Sequence, residues 1–415
     1  GFFGLLTGWS ASTVLGRLDV MSATINKTSR HRRWPGSTRV AAATLVFGIG
    51  AAALGAAPAV ASPPEDVVKS RMQTLVDAGY PAALAAHTDA SGNVIGAAVG
   101  KGDLSTGEAP PIDGEVRIGS NTKTVVAVIV MQLVEEGKVK LDEPVETYLP
   151  GLVKGEGIDE SRITVRQLLQ HTSGLPEYTD TIATSIFEVR DEYHSPRDFL
   201  DAALARPAAF QPGEKFAYTN TNYIVLGLLI EKVTKRTLGE QIDQRIVQPL
   251  GLLHTYLPAP GDRTIHGKHP EGYERNPVSG ELENFTEQDP SWAWAAGAMI
   301  STPSELNIFM QKMLDGTLIT ADSVAEMQKP IHTKTHSDYG LGLIGYSLSC
   351  GTAWGHGGTI PGHQTLNAVG PDGGAVTIAV TAIPTAVAKD PTGEESIRAA
   401  FEPIKEALDN LLCGS

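Results

Sequence analysis

The chain of 415 residues carries 33 lysine and arginine residues against 47 aspartate and glutamate residues, which gives a formal net charge of −14. Such an acidic balance offers no electrostatic surface for nucleic acid or for an anionic membrane face. The length is enough for one or two sizeable hydrophobic cores, and the sequence shows no internal repeat. We therefore expect an acidic globular protein that binds no nucleic acid.

The first part of the chain predicts an export signal that starts at Met21. Five basic residues and no acidic residue follow Met21, and an apolar run from Val40 to Ala57 leads to small residues before Ser62. This order is typical of a signal peptide, here with cleavage after Ala61. An uncleaved membrane anchor is the alternative, since about 18 residues is the short end of what spans a bilayer.

Loss of residues 1–61 would remove six basic residues and one acidic residue, which changes the net charge from −14 to −19. No later segment is apolar for long enough to span a membrane. We expect a soluble, secreted or otherwise extracytoplasmic protein with no stable membrane span after signal removal, and a monomer.

Both cysteines of the chain, Cys350 and Cys413, follow the predicted signal. Because exported cysteine pairs tend to be oxidised, we expect a disulfide bond between them. Closing a loop of 63 residues would stabilise the fold by roughly 4 kcal/mol in the chain-entropy description. Two unpaired buried thiols are the alternative.

The elements predicted next are a helix in PEDVVKSRMQTLVDAGY and two short strands, Ala82 to Ala86 and Val94 to Val99. A helix from Thr124 to Val134 is apolar nearly all round, which predicts burial inside the protein. The chain from about 140 to 285 is predicted to be mostly helical, with ITVRQLLQHTSGL and TNYIVLGLLIEKVT as the clearest helices. The long polar connection that closes this region suggests a functional rim.

The last part of the chain predicts a helix from Pro303 to Leu314, short strands to about residue 383, and a terminal helix from Glu394 to Leu411. Strands at both ends with helices between them predict an α/β (α+β) fold. Its antiparallel sheet, flanked by helices, would be built from both chain ends, residues 62–139 and 286–415. Residues 140–285 would form an inserted, mostly helical lobe.

Three glycines in YGLGLIGYSLSCG, at Gly340, Gly342 and Gly345, have the G-x-G-x-x-G spacing of a dinucleotide loop. That loop requires a strand before the first glycine, a helix after the third and an acidic residue about 20 positions on. The flanking residues here favour strands and turns, so we predict a glycine-rich strand that lines the site. No H-E-x-x-H or G-x-S-x-G sequence is present, and we expect neither a metal nor an organic cofactor.

Ser120 and Lys123 form the single S-x-x-K motif of the chain. On a helix, residues three apart share a face, so the Lys123 amine can lie beside the Ser120 hydroxyl. The alternative is an ordinary N-cap, because serine is a preferred capping residue and about one such motif is expected by chance. The apolar helix that follows favours chemistry, since a buried lysine must be hydrogen-bonded or neutralised. A neutral lysine beside a hydroxyl is a general base for a serine nucleophile.

Two further motifs could contribute to the same site as the S-x-x-K motif. Tyr218-Thr219-Asn220 is the single Y-x-N sequence, in which a phenol could transfer a proton and an amide could hold the substrate. The glycine-rich stretch from His356 to Thr359 would let a substrate backbone approach closely. Either motif alone is more often a turn or part of a core than a catalytic site.

In the order S-x-x-K, Y-x-N and H-x-G, these motifs resemble the serine penicillin-recognising family: penicillin-binding DD-peptidases, class C β-lactamases and related esterases. The chain is most similar to exported bacterial D-alanyl-D-alanine carboxypeptidases, over most of residues 66–413. The resemblance implies that Ser120 is the acylated nucleophile, that Lys123 and Tyr218 handle protons, and that Asn220 contacts the substrate.

The same resemblance implies that His356 supports proton transfer and that Gly358 and Thr359 contact the substrate. It also implies an oxyanion hole formed by the N–H groups of Ser120 and Thr359. Trp292 is similar to an aromatic wall beside the substrate, although a buried tryptophan is as often part of the core. His171 and Ser173, in HTSGL, are interpreted as stabilising a turn.

Two positions depart from the carboxypeptidase pattern. Ile344 stands where an arginine would bind the substrate carboxylate, and Gly357 stands where threonine is usual, while His363 is the nearest other candidate to bind a carboxylate. Both changes leave the acyl-transfer residues intact but remove recognition of a free carboxylate.

We therefore predict an exported serine hydrolase that acts through an acyl-enzyme. The first expectation is a D-alanyl-D-alanine carboxypeptidase or transpeptidase on peptidoglycan-type peptides, with a small peptide or β-lactam as substrate. The alternatives are a β-lactamase-like esterase, a β-lactamase or, from another class, a non-catalytic β-lactam sensor or scaffold.

Overall fold

The computed structural model describes residues 62–182, 186–332 and 338–414. The predicted export segment before Ser62 lies outside these residues, so its cleavage stays a prediction. In the described ranges, no helix combines the length and apolar character needed to cross a bilayer.

The strands form an eight-stranded sheet and two small two-stranded sheets. In the large sheet, the spatial order is β2-β1-β12-β11-β10-β9-β8-β7, and every neighbouring pair is antiparallel. The strands are β1 (Ala82–Thr88), β2 (Val94–Gly100), β3 (Val116–Arg117), β4 (Tyr273–Arg275), β5 (Leu282–Asn284), β6 (Ile300–Ser301), β7 (Ile331–His332), β8 (Asp338–Tyr339), β9 (Ile344–Leu348), β10 (Gly351–Ile360), β11 (His363–Val369) and β12 (Ala375–Val380).

The α-helices are α1 (Glu65–Asp77), α2 (Asn121–Glu135), α3 (Val165–Leu169), α4 (Thr179–Ile182), α5 (Ile186–Val189), α6 (Pro196–Leu204), α7 (Thr221–Thr234), α8 (Leu238–Ile242), α9 (Gln248–Leu250), α10 (Trp294–Gly297), α11 (Pro303–Leu314), α12 (Ala321–Met327), α13 (Pro384–Val387) and α14 (Glu394–Cys413). A π-helical turn, Asp243–Val247, joins α8 to α9, and 3-10 turns lie at Val145–Thr147 and Pro290–Trp292.

The predicted fold class is confirmed. Strands β1 and β2 come from the start of the described chain and strands β7 to β12 from its end, and they share one antiparallel sheet. Helices α1 and α14 pack together against this sheet, and α11 packs across β1, β11 and β12. Between the two sets of strands the chain forms the helices from α3 to α9, which include α7 against α2.

Helix α2 carries the S-x-x-K motif at its start and lies in the core. All but three of its fifteen residues are buried, and it contacts α7, α10 and β10. Its uninterrupted apolar surface requires this position, because a helix that is apolar all round must be covered on all sides. The predicted burial of this helix is confirmed.

One predicted helix is shorter than expected. In ITVRQLLQHTSGL only Val165–Leu169 is α-helical, starting from a Thr164 N-cap. His171 has a left-handed backbone with φ of 60°, which cannot continue a right-handed helix. The turn after α3 is held in place by His171 O, which accepts a hydrogen bond from Ala217 N.

The glycines of YGLGLIG form a turn between β8 and β9 that packs on α2. Gly342 has φ of 66°, and a Cβ there would lie 2.6 Å from Ala127 Cβ and 2.7 Å from Tyr223 Oη. The Gly342 carbonyl accepts a hydrogen bond from Thr124 Oγ1 at 2.8 Å. The glycine spacing therefore serves a close approach to α2, and the segment is a strand, a turn and a second strand.

A disulfide bond joins Cys350 and Cys413, whose Cα atoms are 5.3 Å apart. It ties the turn between β9 and β10 to the end of α14. The predicted pairing is confirmed, and the alternative of two unpaired thiols is wrong.

We expect Gly342→Ala to destabilise the protein by about 2 kcal/mol more than Gly251→Ala. Both glycines have nearly the same left-handed φ, 66° and 65°, but a Cβ at Gly251 meets nothing within 4 Å. The control therefore isolates the backbone strain, which costs roughly 1 kcal/mol, from the overlap with α2. Urea denaturation of the two variants measures the difference, and equal losses would contradict the proposed close packing.

Candidate active site

The nucleophile and base predicted from the sequence lie side by side at the start of α2. Ser120 occupies the N-cap position, but its side chain makes no capping hydrogen bond. Instead, Ser120 Oγ lies 2.9 Å from Lys123 Nζ. Ordinary helix capping therefore does not account for this serine.

Lys123 is completely buried among oxygen atoms. Besides Ser120 Oγ, its Nζ lies 2.8 Å from Asn220 Oδ1 and 2.7 Å from Ala296 O. A charged ammonium can donate to all three oxygens. A neutral amine can donate to Asn220 and Ala296 and accept the Ser120 proton with its lone pair. The same geometry thus suits both protonation states of a general base.

Asn220 is oriented by a carboxylate that the sequence reasoning missed. Glu177 Oε2 accepts hydrogen bonds from Asn220 N at 2.8 Å and from Asn220 Nδ2 at 3.2 Å. Because Nδ2 donates to the carboxylate, Oδ1 must face Lys123. Burial raises the pKa of the Glu177 carboxyl, while its N–H donors and the nearby Lys123 oppose that rise. A lone glutamate in a loop carries no motif, so only the fold brings it to notice.

Tyr218 lies over the same amine. Its ring centroid is 4.9 Å from Lys123 Nζ, and its ring packs against that of His171 at a centroid distance of 4.2 Å. Tyr218 and Asn220 of the Y-x-N motif therefore both lie against Lys123 of the S-x-x-K motif.

Strand β10 closes the site from the side of the sheet. Gly119 has φ of 49°, and a Cβ there would lie only 2.7 Å from Thr359 N. A Cβ at Gly358 would lie 1.9 Å from Ile118 O. Both glycines thus permit the turn before α2 to touch β10, which brings the two N–H groups predicted for the oxyanion hole onto adjacent backbone segments. The role of Gly358, and of Thr359 with its N–H group, stays a prediction.

A narrow cleft opens above Ser120. Its lining includes Tyr178, Asn220, Trp292 and Thr359. Trp292 is 6% exposed, and its carbonyl accepts a hydrogen bond from Tyr178 Oη. Trp292 is therefore both part of the core and part of the cleft wall, which combines the two interpretations made from the sequence.

His356 lies deeper than a group that contacts substrate. It is completely buried, with Nδ1 2.6 Å from Gly357 O and Nε2 3.1 Å from Tyr339 Oη. Burial lowers its pKa to about 3, and the charge of Lys123 acts in the same direction. We therefore expect a neutral imidazole near pH 7.

The sequence model of the beta-lactamase family matches residues 65–401. This match covers most of the chain, including all three motifs. The chain belongs to the beta-lactamase family. As a member of this serine penicillin-recognising group, it has the geometry expected for a serine hydrolase.

Two similar solved structures are of enzymes whose names specify the D configuration. The D-stereospecific amidohydrolase from Streptomyces sp. is 32% identical, with a TM-score of 0.72 over 82% of this chain and 98% of that one. The D-amino acid amidase from Ochrobactrum anthropi SV3 is 25% identical, with a TM-score of 0.71 over 84% of this chain and 98% of that one.

Among curated proteins, "Putative D-alanyl-D-alanine carboxypeptidase" of Salmonella enteritidis PT4 is 27% identical over 306 residues, which is 65% of this chain and 70% of that protein. "Protein flp" of Staphylococcus aureus strain N315 is 31% identical over 149 residues, 36% of this chain and 29% of its own length. The match thus spans under a third of the flp protein.

Neither Ile344 nor His363 supplies a positive charge to the cleft of this beta-lactamase family member. Ile344 is 1% exposed and pairs with Gly355 in the sheet. His363 is fully buried, and neither ring nitrogen has a hydrogen-bond partner among the described residues. Burial also lowers its pKa to about 3. His363 is therefore not positioned to bind a substrate carboxylate.

We expect Lys123→Ala to lower the rate of Ser120 acylation by about 10²-fold or more, since it removes the predicted base. The matched control is Lys405→Ala, which removes another buried lysine, paired with Glu402 on α14. Stopped-flow measurement of the acylation burst with p-nitrophenyl acetate distinguishes the two. A near-normal burst rate in a folded Lys123→Ala variant would rule out Lys123 as the base.

Proposed function

We propose that this protein hydrolyses amide bonds on the carbonyl side of D-amino acid residues that carry a free α-amine, through an acyl-enzyme at Ser120. The observation that supports this substrate is the charge at the cleft. A carboxylate, Glu177, is hydrogen-bonded to two cleft-lining residues, whereas the Lys123 amine next to the cleft is fully buried and donates to lining residues.

Glu177 is placed to attract an ammonium group. Its Oε1 accepts from Thr179 N at 3.0 Å and its Oε2 accepts from Asn220, and both of these residues line the cleft. Glu177 as a residue has intermediate exposure, and in this proposal a free acceptor position of its carboxylate faces the ligand. A substrate amine would add a second positive charge, besides Lys123, beside a carboxylate whose pKa burial raises.

The reaction follows from the site geometry. Ser120 Oγ attacks the amide carbonyl carbon while its proton passes to Lys123 Nζ, and the two predicted backbone N–H groups stabilise the oxyanion. Tyr218, above Lys123, donates a proton to the departing nitrogen, and the C–N bond breaks. Water then attacks the ester carbonyl carbon and gives a proton to the Tyr218 phenolate, and the bond to Ser120 Oγ breaks as Lys123 returns a proton to that oxygen, which releases the D-amino acid.

The similar proteins support this choice and one competitor. The Streptomyces and Ochrobactrum enzymes, by their names, act on D-configured amides or amino acid derivatives. The Salmonella relative favours a D-alanyl-D-alanine carboxypeptidase as the second candidate. We also propose an extracytoplasmic location, supported by the disulfide bond and by the predicted export signal.

The purified chain should release ammonia from D-phenylalanine amide at least about tenfold faster than from L-phenylalanine amide or N-acetyl-D-phenylalanine amide, because only the first offers both configuration and amine. Ser120→Ala is the blank. Faster release of D-alanine from an N-acyl-D-alanyl-D-alanine peptide would instead establish the carboxypeptidase.

Intact mass after incubation with benzylpenicillin tests the other candidates. A lasting adduct that requires Ser120 would indicate a penicillin-binding peptidase, and penicillin consumed without an adduct would indicate a β-lactamase. Turnover of p-nitrophenyl acetate but of no amide would indicate an esterase. No reaction with any of these compounds would favour the non-catalytic sensor.

Replacing Glu177 by glutamine should raise the KM for D-phenylalanine amide by about tenfold, which corresponds to about 1.4 kcal/mol. Glutamine keeps an oxygen acceptor and the side-chain volume but removes the charge. The matched substrate control is p-nitrophenyl acetate, which has no amine and should change by less than about threefold. Equal losses on both substrates would mean that Glu177 acts only through Asn220 and Lys123.

The pH dependence of KM gives an independent check. Burial raises the pKa of the Glu177 carboxyl, and below that pKa the neutral carboxylic acid no longer attracts an ammonium group. The KM for D-phenylalanine amide should therefore rise as the pH falls through this pKa, and this rise should be absent in Glu177→Gln. Initial rates between about pH 4 and 7 measure it, below the α-amine pKa of about 8.

A further inference from the structure

Three buried aromatic rings form a hydrogen-bonded chain behind the active site. Tyr339 Oη lies 3.1 Å from His171 Nε2 and 3.1 Å from His356 Nε2. The three side chains are 0% to 3% exposed and come from the turn after α3, from β8 and from β10. The catalytic steps proposed above assign nothing to His171 or Tyr339.

The β10 end of this chain has a fixed hydrogen-bond direction. His356 Nδ1 faces the carbonyl oxygen of Gly357 at 2.6 Å. A carbonyl can only accept, so Nδ1 carries the hydrogen, and a neutral His356 must accept at Nε2. The Tyr339 hydroxyl therefore donates to His356.

The opposite end is fixed by Asn222. Its Oδ1 accepts from Ser173 Oγ at 2.6 Å, so its Nδ2 donates to His171 Nδ1 at 3.1 Å. Thr219 N also donates to His171 Nδ1. The hydrogen of a neutral His171 is thus on Nε2, where it is donated to Tyr339 Oη. Ser173 and His171 stabilise the turn, as the sequence predicted, and they also set this direction.

Each ring in the chain has one consistent neutral state. Burial lowers the pKa of His171 well below its ordinary value and that of His356 to about 3, and the charge of Lys123 acts in the same direction on both. His356 also lowers the pKa of His171, while the hydrogen bonds with Thr219 and Gly357 oppose these shifts. Protonation of His171 would add a donor at Nδ1, where Asn222 Nδ2 and Thr219 N can only donate. Protonation of His356 would add a donor at Nε2, where it would replace the hydrogen bond that Tyr339 donates. Two neutral histidines can therefore lie near Lys123 without adding positive charge.

The hydrogen-bonded chain of His171, Tyr339 and His356 packs against Tyr218, the proposed proton donor. The Tyr218 ring lies 4.2 Å from the His171 ring, 6.0 Å from the Tyr339 ring and 6.4 Å from the His356 ring, measured between centroids. Tyr218 thus packs against His171 of this hydrogen-bonded chain and also lies next to Lys123 Nζ. Movement of His171 would move Tyr218 directly.

We propose that Tyr339 is a positioning residue whose hydroxyl links His171 and His356, each already set in one neutral tautomer by its other partners, and so fixes the two rings and holds Tyr218 over Lys123. This inference rests on the proposed acyl-transfer function for its kinetic consequence. Its structural part, the two tautomers, does not depend on any activity.

The first test is ¹⁵N-edited NMR of the histidine side chains in the full chain at pH 6. We expect His171 to be protonated at Nε2 and His356 at Nδ1, both neutral. In Tyr339→Phe both tautomers should be kept, because Gly357 O, Asn222 and Thr219 still set them, while the Nε2 resonances of both residues should shift and broaden as their hydrogen bonds to Oη are lost. A different tautomer at either residue in the wild type, or unchanged Nε2 resonances in Tyr339→Phe, would overturn the proposed link.

The second test separates positioning from general stability. With p-nitrophenyl acetate, Tyr339→Phe should lower kcat by about tenfold or more with KM changed less than about threefold. The matched control is Tyr346→Phe, which removes the hydroxyl of another fully buried tyrosine on the neighbouring strand β9 and should retain kcat. Retained kcat in a folded Tyr339→Phe variant, or an equal loss in the control, would overturn the positioning role. If the wild type has no hydrolytic activity, the proposed function fails while the NMR result stands.

Discussion

The site depends on one interaction, the burial of the Lys123 amine among three oxygen atoms. A primary amine without water is costly unless each of its hydrogens finds a partner. The partners come from α2 itself, from Asn220 at the start of α7 and from the Ala296 carbonyl in α10. Since these segments are distant in sequence, the fold must bring them together before the lysine can be buried. Stability and chemistry therefore share the same contacts.

Close backbone approach makes this convergence possible. Gly119 and Gly358 let the turn before α2 touch β10, and Gly342 lets the turn after β8 touch α2. A side chain at any of these positions would separate the sheet from the helix that carries Ser120. The glycine-rich stretches thus serve packing, and they place the strand that closes the cleft beside the nucleophile.

The charges around the cleft are few and ordered. Asn220 accepts a hydrogen bond from Lys123, and Glu177 accepts one from Asn220. These two hydrogen bonds connect the base to the edge of the cleft. Around Tyr218, two histidines stay neutral because burial and Lys123 both lower their pKa. The site therefore combines one amine, one carboxylate and neutral rings, and the proposal of an amine-bearing substrate is based on this arrangement.

The sequence by itself determined the fold class, the burial of α2 and the S-x-x-K and Y-x-N motifs, because periodicity and local spacing express these features directly. It also determined the disulfide bond, because its two cysteines follow a predicted export signal. The early end of α3 was missed, since the left-handed backbone at His171 depends on contacts with residues around 217. Glu177 and Tyr339 also escaped notice, because neither belongs to a motif. Only the tertiary structure brings these two residues to the site. Their hydrogen bonds span 43 and 17 residues of sequence and leave no local pattern, whereas a pair three residues apart on one helix does.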